Sequence, residues 1–75
     1  MEKFRISVSR AGEVLWFEVI NKHTDKCEYE VFDRNLLVAV FEPNEDEYIR
    51  VCRNPGGLDE EIIYSIAGEI EAHHL

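Results

Sequence analysis

The stretch Asn54-Pro55-Gly56-Gly57-Leu58-Asp59-Glu60-Glu61 has the outward form of a phosphate-binding loop, with two glycines running into a helix start. A nucleotide loop of the Walker kind needs more. A Lys must reach the β and γ phosphates, and a Ser or Thr must hold Mg²⁺. This stretch contains neither. Three carboxylates, Asp59, Glu60 and Glu61, fall instead in the first helical turn. They satisfy the positive end of the helix dipole and repel an anion from the one place that would bind it. The stretch therefore reads as a tight reversal, Pro fixing φ and Gly allowing positive φ, with Asp59 as the helix N-cap.

Other residues invite chemistry. His73 and His74 follow Glu69 near the chain end, and Glu69 and His73 share a helix face at a spacing of four. That is a weak metal candidate (Glu69, His73, His74), because a site needs further ligands and no other His or Cys cluster is visible. Histidines also suit a helix C-terminus electrostatically. Cys27 and Cys52 are expected on strands that flank a common neighbour, Cys27 opposite Phe41 and Cys52 opposite Leu37. That separation predicts two free thiols buried as small apolar groups rather than a disulfide. Ser7, Ser9 and Ser65 have no visible base. Glu45, Asp46 and Glu47 fall in a turn, where no apolar pocket would raise a carboxyl for acid catalysis. No catalytic residue and no cofactor is expected.

The elements follow from periodicity. Phe4, Ile6 and Val8 alternate with polar residues, which predicts a strand. Arg10-Ala11-Gly12 reads as a three-residue hairpin loop into a strand over 13–20. That register pairs Val8 with Val14 and Ile6 with Trp16, so Trp16 shares a face with Ile6, and Leu15, Phe17 and Val19 point the other way. Residues 21–26 read as a loop, 27–32 as a strand, 33–35 as a three-residue turn and 36–42 as a strand buried on both faces. Residues 43–46 form a turn and 47–53 a fifth strand. Leu58, Ile62, Ile63, Ile66 and Ile70 mark one face of a helix over 59–73. The expected fold is α+β: a five-stranded antiparallel β-meander with one C-terminal α-helix packed on one face, a single domain over residues 1–75.

Composition narrows the function classes. The chain of 75 residues carries 16 acidic and 8 basic side chains, a net charge of −8. That disfavours nucleic acid and anionic membrane surfaces, both of which are bound by Lys and Arg. A basic protein partner is compatible with this charge, but the plainer reading is that acidity keeps a cytosolic protein soluble. No apolar run is long enough to span a membrane, and residues 1–10 alternate without the apolar core of a signal peptide. A cytoplasmic location follows as the expectation, with both thiols reduced.

Residues 36–75, LLVAVFEPNEDEYIRVCRNPGGLDEEIIYSIAGEIEAHHL, look like the C-terminal half of small bacterial proteins of unknown function. Those share a strand-turn-strand-NPG-helix ending. The resemblance implies a compact α+β domain. It brings no catalytic residue, cofactor or partner.

Apolar surface is in excess. One helix covers one face of a sheet, yet the second and fourth strands are apolar on both. Leu15, Phe17 and Val19 are the expected spare sheet surface. Tyr64, Gly68, Ala72 and Leu75 form a minor helix stripe, where a mid-helix Gly costs about 1 kcal/mol unless another backbone approaches. The leading expectation is a non-enzymatic interaction module, either a homodimer or bound to a protein partner. The rivals are an acidic, antitoxin-like inhibitor of a basic protein and a small-ligand or metal-binding domain.

Overall fold

The computed structural model describes residues 2–23, 27–43 and 49–73. Five strands and one helix follow in order: β1 (Glu2–Arg10), β2 (Glu13–Asn21), β3 (Tyr29–Asp33), β4 (Leu36–Pro43), β5 (Ile49–Arg53) and α1 (Glu60–His73). The strands form one antiparallel sheet in the order β1-β2-β3-β4-β5. The expected meander and C-terminal helix are present.

The first hairpin is closed more tightly than expected. Arg10 pairs with Glu13, leaving only Ala11 and Gly12 in the turn, with φ of 50° and 80°. Two successive positive φ values define a type I′ turn, whose twist matches that of the flanking strands. Gly adopts this conformation freely, and Ala does so at a cost. Shortening the loop by one residue slips the register by one and turns β2 over. Ile6 now faces Phe17, Phe4 faces Val19, and Ser7 faces Trp16. Phe17 and Val19 are 4% and 0% exposed and belong to the core, with Leu15 packed against its edge. The expected spare surface is therefore the inside of the domain, and Trp16, 56% exposed, stands outside.

The second hairpin repeats the correction. Asp33 pairs with Leu36, so the turn is Arg34-Asn35, both at positive φ, and not three residues. Register shifts then enter between Val31 and Phe32 and between Val40 and Phe41. They leave Val38 of β4 and Cys52 of β5 as the extra residues, and such bulges sharpen the local twist. Residues 44–46 of the expected 43–46 turn, and residues 47 and 48 of the expected fifth strand, lie outside the described residues.

Curvature solves the apolar surplus. A flat five-stranded sheet spans four gaps of roughly 4.8 Å, about 19 Å, against a helix roughly 10 Å across. Yet α1 lies against both outer strands, β1 and β5. The sheet must curl around it. Ile62, Ile63, Ile66, Ala67 and Ile70 enter the concave side, where Val19, Val31, Ala39 and Phe41 meet them in one cluster. The helix is tied to β1 at both ends. Arg10 pairs with Asp59 at the start, and the His73 ring stacks on Phe4 at the finish, centroids 3.6 Å apart. On the far side, the Ile49 N–H of β5 donates to the Glu71 carboxylate at 2.9 Å.

This inversion of β2 has a direct mutational signature. Phe17→Ala is expected to cost about 3–5 kcal/mol, the loss for a buried Phe. Trp16→Ala is expected to cost no more than about 1 kcal/mol, because the side chain is largely exposed and the Arg5 guanidinium over its ring is a contact at the surface. Urea unfolding followed by far-ultraviolet circular dichroism separates the two. A larger loss at Trp16 than at Phe17 would restore the other register.

Candidate functional site

The glycine loop is built for packing, and its amides are committed. Gly56 N–H donates to the Val38 carbonyl at 3.0 Å and Gly57 N–H to the Asn54 carbonyl at 3.1 Å. The Asn54 side chain clasps Leu58, accepting from its N–H at 2.9 Å and donating to its carbonyl at 2.6 Å. Ile62 N–H donates to the Asp59 carboxylate at 3.0 Å, the bond of an N-cap. A bound phosphate would have to displace these partners. Gly56 is glycine for steric reasons: a Cβ there would stand 2.7 Å from the Cβ of Val38.

Of the metal candidates Glu69, His73 and His74, only the first two are described, and among the described residues they belong to no group of three close ligand atoms. The His73 ring lies on Phe4 and its Nε2 is 3.2 Å from the Glu2 carboxylate. Glu69 is exposed, and His74 lies outside the described residues, as do Glu45, Asp46 and Glu47. Ser7 and Ser9 lie on edge strand β1 and Ser65 on α1. Tyr64 is 70% exposed. Gly68 and Ala72 are exposed too, and apart from the adjoining helix backbone no atom of the described residues lies within 4 Å of where a Gly68 Cβ would sit. Leu75 lies outside the described residues.

The cysteines overturn the expectation of two free thiols. Cys27 and Cys52 form a disulfide with a Cα separation of 6.1 Å. Strands flanking a common neighbour stand roughly 10 Å apart, which was the ground for excluding the bond. Neither cysteine keeps that spacing. Cys27 sits at a bend ahead of β3, and Cys52 is the bulge residue of β5. The expected pairings were also displaced: Tyr29 rather than Cys27 pairs with Phe41, and Cys52, expected opposite Leu37, falls unpaired between Val51, which pairs with Phe41, and Arg53, which pairs with Val40. A cross-link closing 25 residues stabilises by about 2–4 kcal/mol. The Glu42 carboxylate lies within 4.8 Å of both sulfurs.

A groove of about 660 Å³ lies beside β2. It is lined by Arg5 of β1, residues 14–18 of β2, Phe32 and Asp33 of β3 with Arg34 of the turn, and Leu58 and Ile62 near the helix start. Its origin is topological. β3 pairs with β2 only over Glu18–Asn21, so no strand among the described residues lies against Glu13–Phe17 on that side. A ladder closed by a two-residue turn alternates its bonds, which directs the N–H and C=O of Val14 and Trp16 away from β1. These groups and the exposed Trp16 ring form one open edge. The sequence concealed it, because the three-residue loop put Trp16 inside.

No protein-family model matches the chain, and neither curated proteins nor solved structures give a significant match. None of the helices is long and apolar enough to cross a membrane, among the described residues.

Asp59, at the start of the helix, has a perturbed carboxyl. The Ile62 N–H holds its carboxyl below the usual carboxylate range, desolvation opposes this, and Arg10 adds to the lowering. A depressed folded-state value stabilises above the unfolded value of about 3.9 and ceases to do so as pH falls through the folded value. Asp59→Asn keeps the cap but removes both titration and ion pair. Wild type is expected to melt above the variant at neutral pH. The gap should close as pH is lowered from about 5 to about 2. A gap independent of pH in circular-dichroism melts would contradict this assignment.

Proposed function

We infer that the protein is a non-enzymatic binding module that takes an extended segment of a partner protein along the open edge of β2. The observation that carries this reading is the unpaired side of Glu13–Phe17, with Trp16 and a groove beside it. An added strand would satisfy the Val14 and Trp16 backbone groups and lay alternate side chains into the groove, where apolar and mixed-charge walls give selectivity. Long open edges invite association unless they are blunted, and this one carries no proline and no bulge. The net charge of −8 favours partners with basic flanks and accelerates their encounter. Self-association edge to edge is one form of the same recognition. The Cys27–Cys52 bond supports a setting that is not steadily reducing, in place of the cytoplasmic one the sequence suggested.

The test uses variants that spare the monomer. Val14→Pro removes an outward N–H without touching the β1 ladder, and Trp16→Asp places a charge in the groove. Leu36→Asp alters an exposed apolar residue that does not line the groove. Tagged wild type should capture a partner from native extract, or dimerise in a sedimentation series. Val14→Pro and Trp16→Asp should lose that association by tenfold or more, about 1.4 kcal/mol, while Leu36→Asp keeps it. Association unchanged in both groove variants would contradict the reading.

A further inference from the structure

We propose that Cys27, Cys52 and Glu42 form a redox-gated site for a thiophilic divalent cation of the Zn²⁺ type, closed when the cysteines are oxidised and open when they are reduced. The Sγ atoms and a Glu42 carboxylate oxygen lie within 4.8 Å of one another, and all three residues are half-buried. They come from three separate places in the chain: the bend before β3, the strand β4 and the bulge in β5. Two thiolates and a carboxylate are ligands of tetrahedral zinc, with the fourth position left for water or another donor. Sulfurs each about 2.3 Å from zinc at the tetrahedral angle stand about 3.8 Å apart. The Cα separation of 6.1 Å accommodates that distance by side-chain rotation, without moving the strands. Beside two thiolates and a cation the Glu42 carboxylate supplies the third ligand and a third negative charge.

The chemistry balances. A dithiol reductant gives two electrons and two protons to the Cys27–Cys52 bond, is itself oxidised to a disulfide, and leaves two thiols. Each thiol then releases its proton as it binds the cation, and Glu42 joins as the carboxylate. Binding holds the two cysteines together as the disulfide did, so cation replaces covalent bond as the tie between the approach to β3 and β5. A disulfide-bearing oxidant reverses both steps: it takes two electrons from the Cys27 and Cys52 thiolates and two protons from solvent, becoming a dithiol, while the cation leaves and the Cys27–Cys52 bond forms. Metal affinity and fold stability are thereby coupled to the thiol poise of the surroundings.

The experiment uses the full chain, oxidised and reduced with a non-chelating phosphine, and Co²⁺ as a visible probe for Zn²⁺. Reduced wild type should show thiolate-to-cobalt charge-transfer absorption at stoichiometric Co²⁺, abolished by Zn²⁺. The oxidised chain and Cys52→Ser should show none. Glu42→Gln retains both thiols and is expected to weaken Zn²⁺ binding by at least about tenfold in competition with a chromophoric chelator. Circular dichroism of each sample reports folding, and if reduction unfolds the chain, Zn²⁺ should restore the folded spectrum. The proposal is overturned by a reduced chain without the charge-transfer band, by Glu42→Gln binding as tightly as wild type, or by an unfolded reduced chain that Zn²⁺ does not refold.

Discussion

The two-residue turn at Ala11-Gly12 decides the rest of the molecule. Because Arg10 must meet Glu13, every residue of β2 is assigned a side: Leu15, Phe17 and Val19 go to the helix, Val14 and Trp16 to solvent. A loop longer by one residue would exchange the two sets. The energetic preference is clear from the side chains. Phe17 and Val19 meet Ile6 and Phe4 on one side, and the helix isoleucines fill the same cluster. Burying such side chains is worth roughly 1.5–3 kcal/mol each. That outweighs the positive φ imposed on Ala11, which costs of order 1–3 kcal/mol.

From that register the curl of the sheet follows, and from the curl the site. With its concave side apolar save for the buried Asn21, the sheet closes on α1 until both β1 and β5 touch it. Two bulges supply the bend, one on each side of β4. The same bulges release Cys52 from ladder spacing, which is what lets it reach Cys27 and brings both beside Glu42. The short β3 cannot follow β2 along its whole length, so the hairpin of β1 and β2 extends beyond the sheet and one edge is left open. Groove and cysteine cluster are thus two consequences of one curled meander, at different places in it.

Much of this was legible in the residues. Alternation in β1, the isoleucine stripe of α1, the acidic first turn and Asp59 as N-cap all follow from local pattern, and each is where the pattern put it. What escaped was register. Ala-Gly and Arg-Asn lack the Asn-Gly or Asp-Gly signature of type I′ turns, so both hairpins read one residue too long. A bulge leaves no mark in hydrophobic periodicity, and the disulfide depends on one. Errors of one residue in a turn are small in sequence. In a sheet they move an aromatic from surface to core and a thiol from isolation to a bond.

Amide hydrogen exchange across β2, read residue by residue, tests the register and the open edge together. The N–H groups of Leu15 and Phe17 face β1 and should be strongly protected, while those of Val14 and Trp16 should exchange near the rate of an unstructured chain. Glu18, where β3 begins to pair, should regain protection. Strong protection at Val14 and Trp16 with fast exchange at Leu15 and Phe17 would contradict the register, the open edge and the binding role built on them.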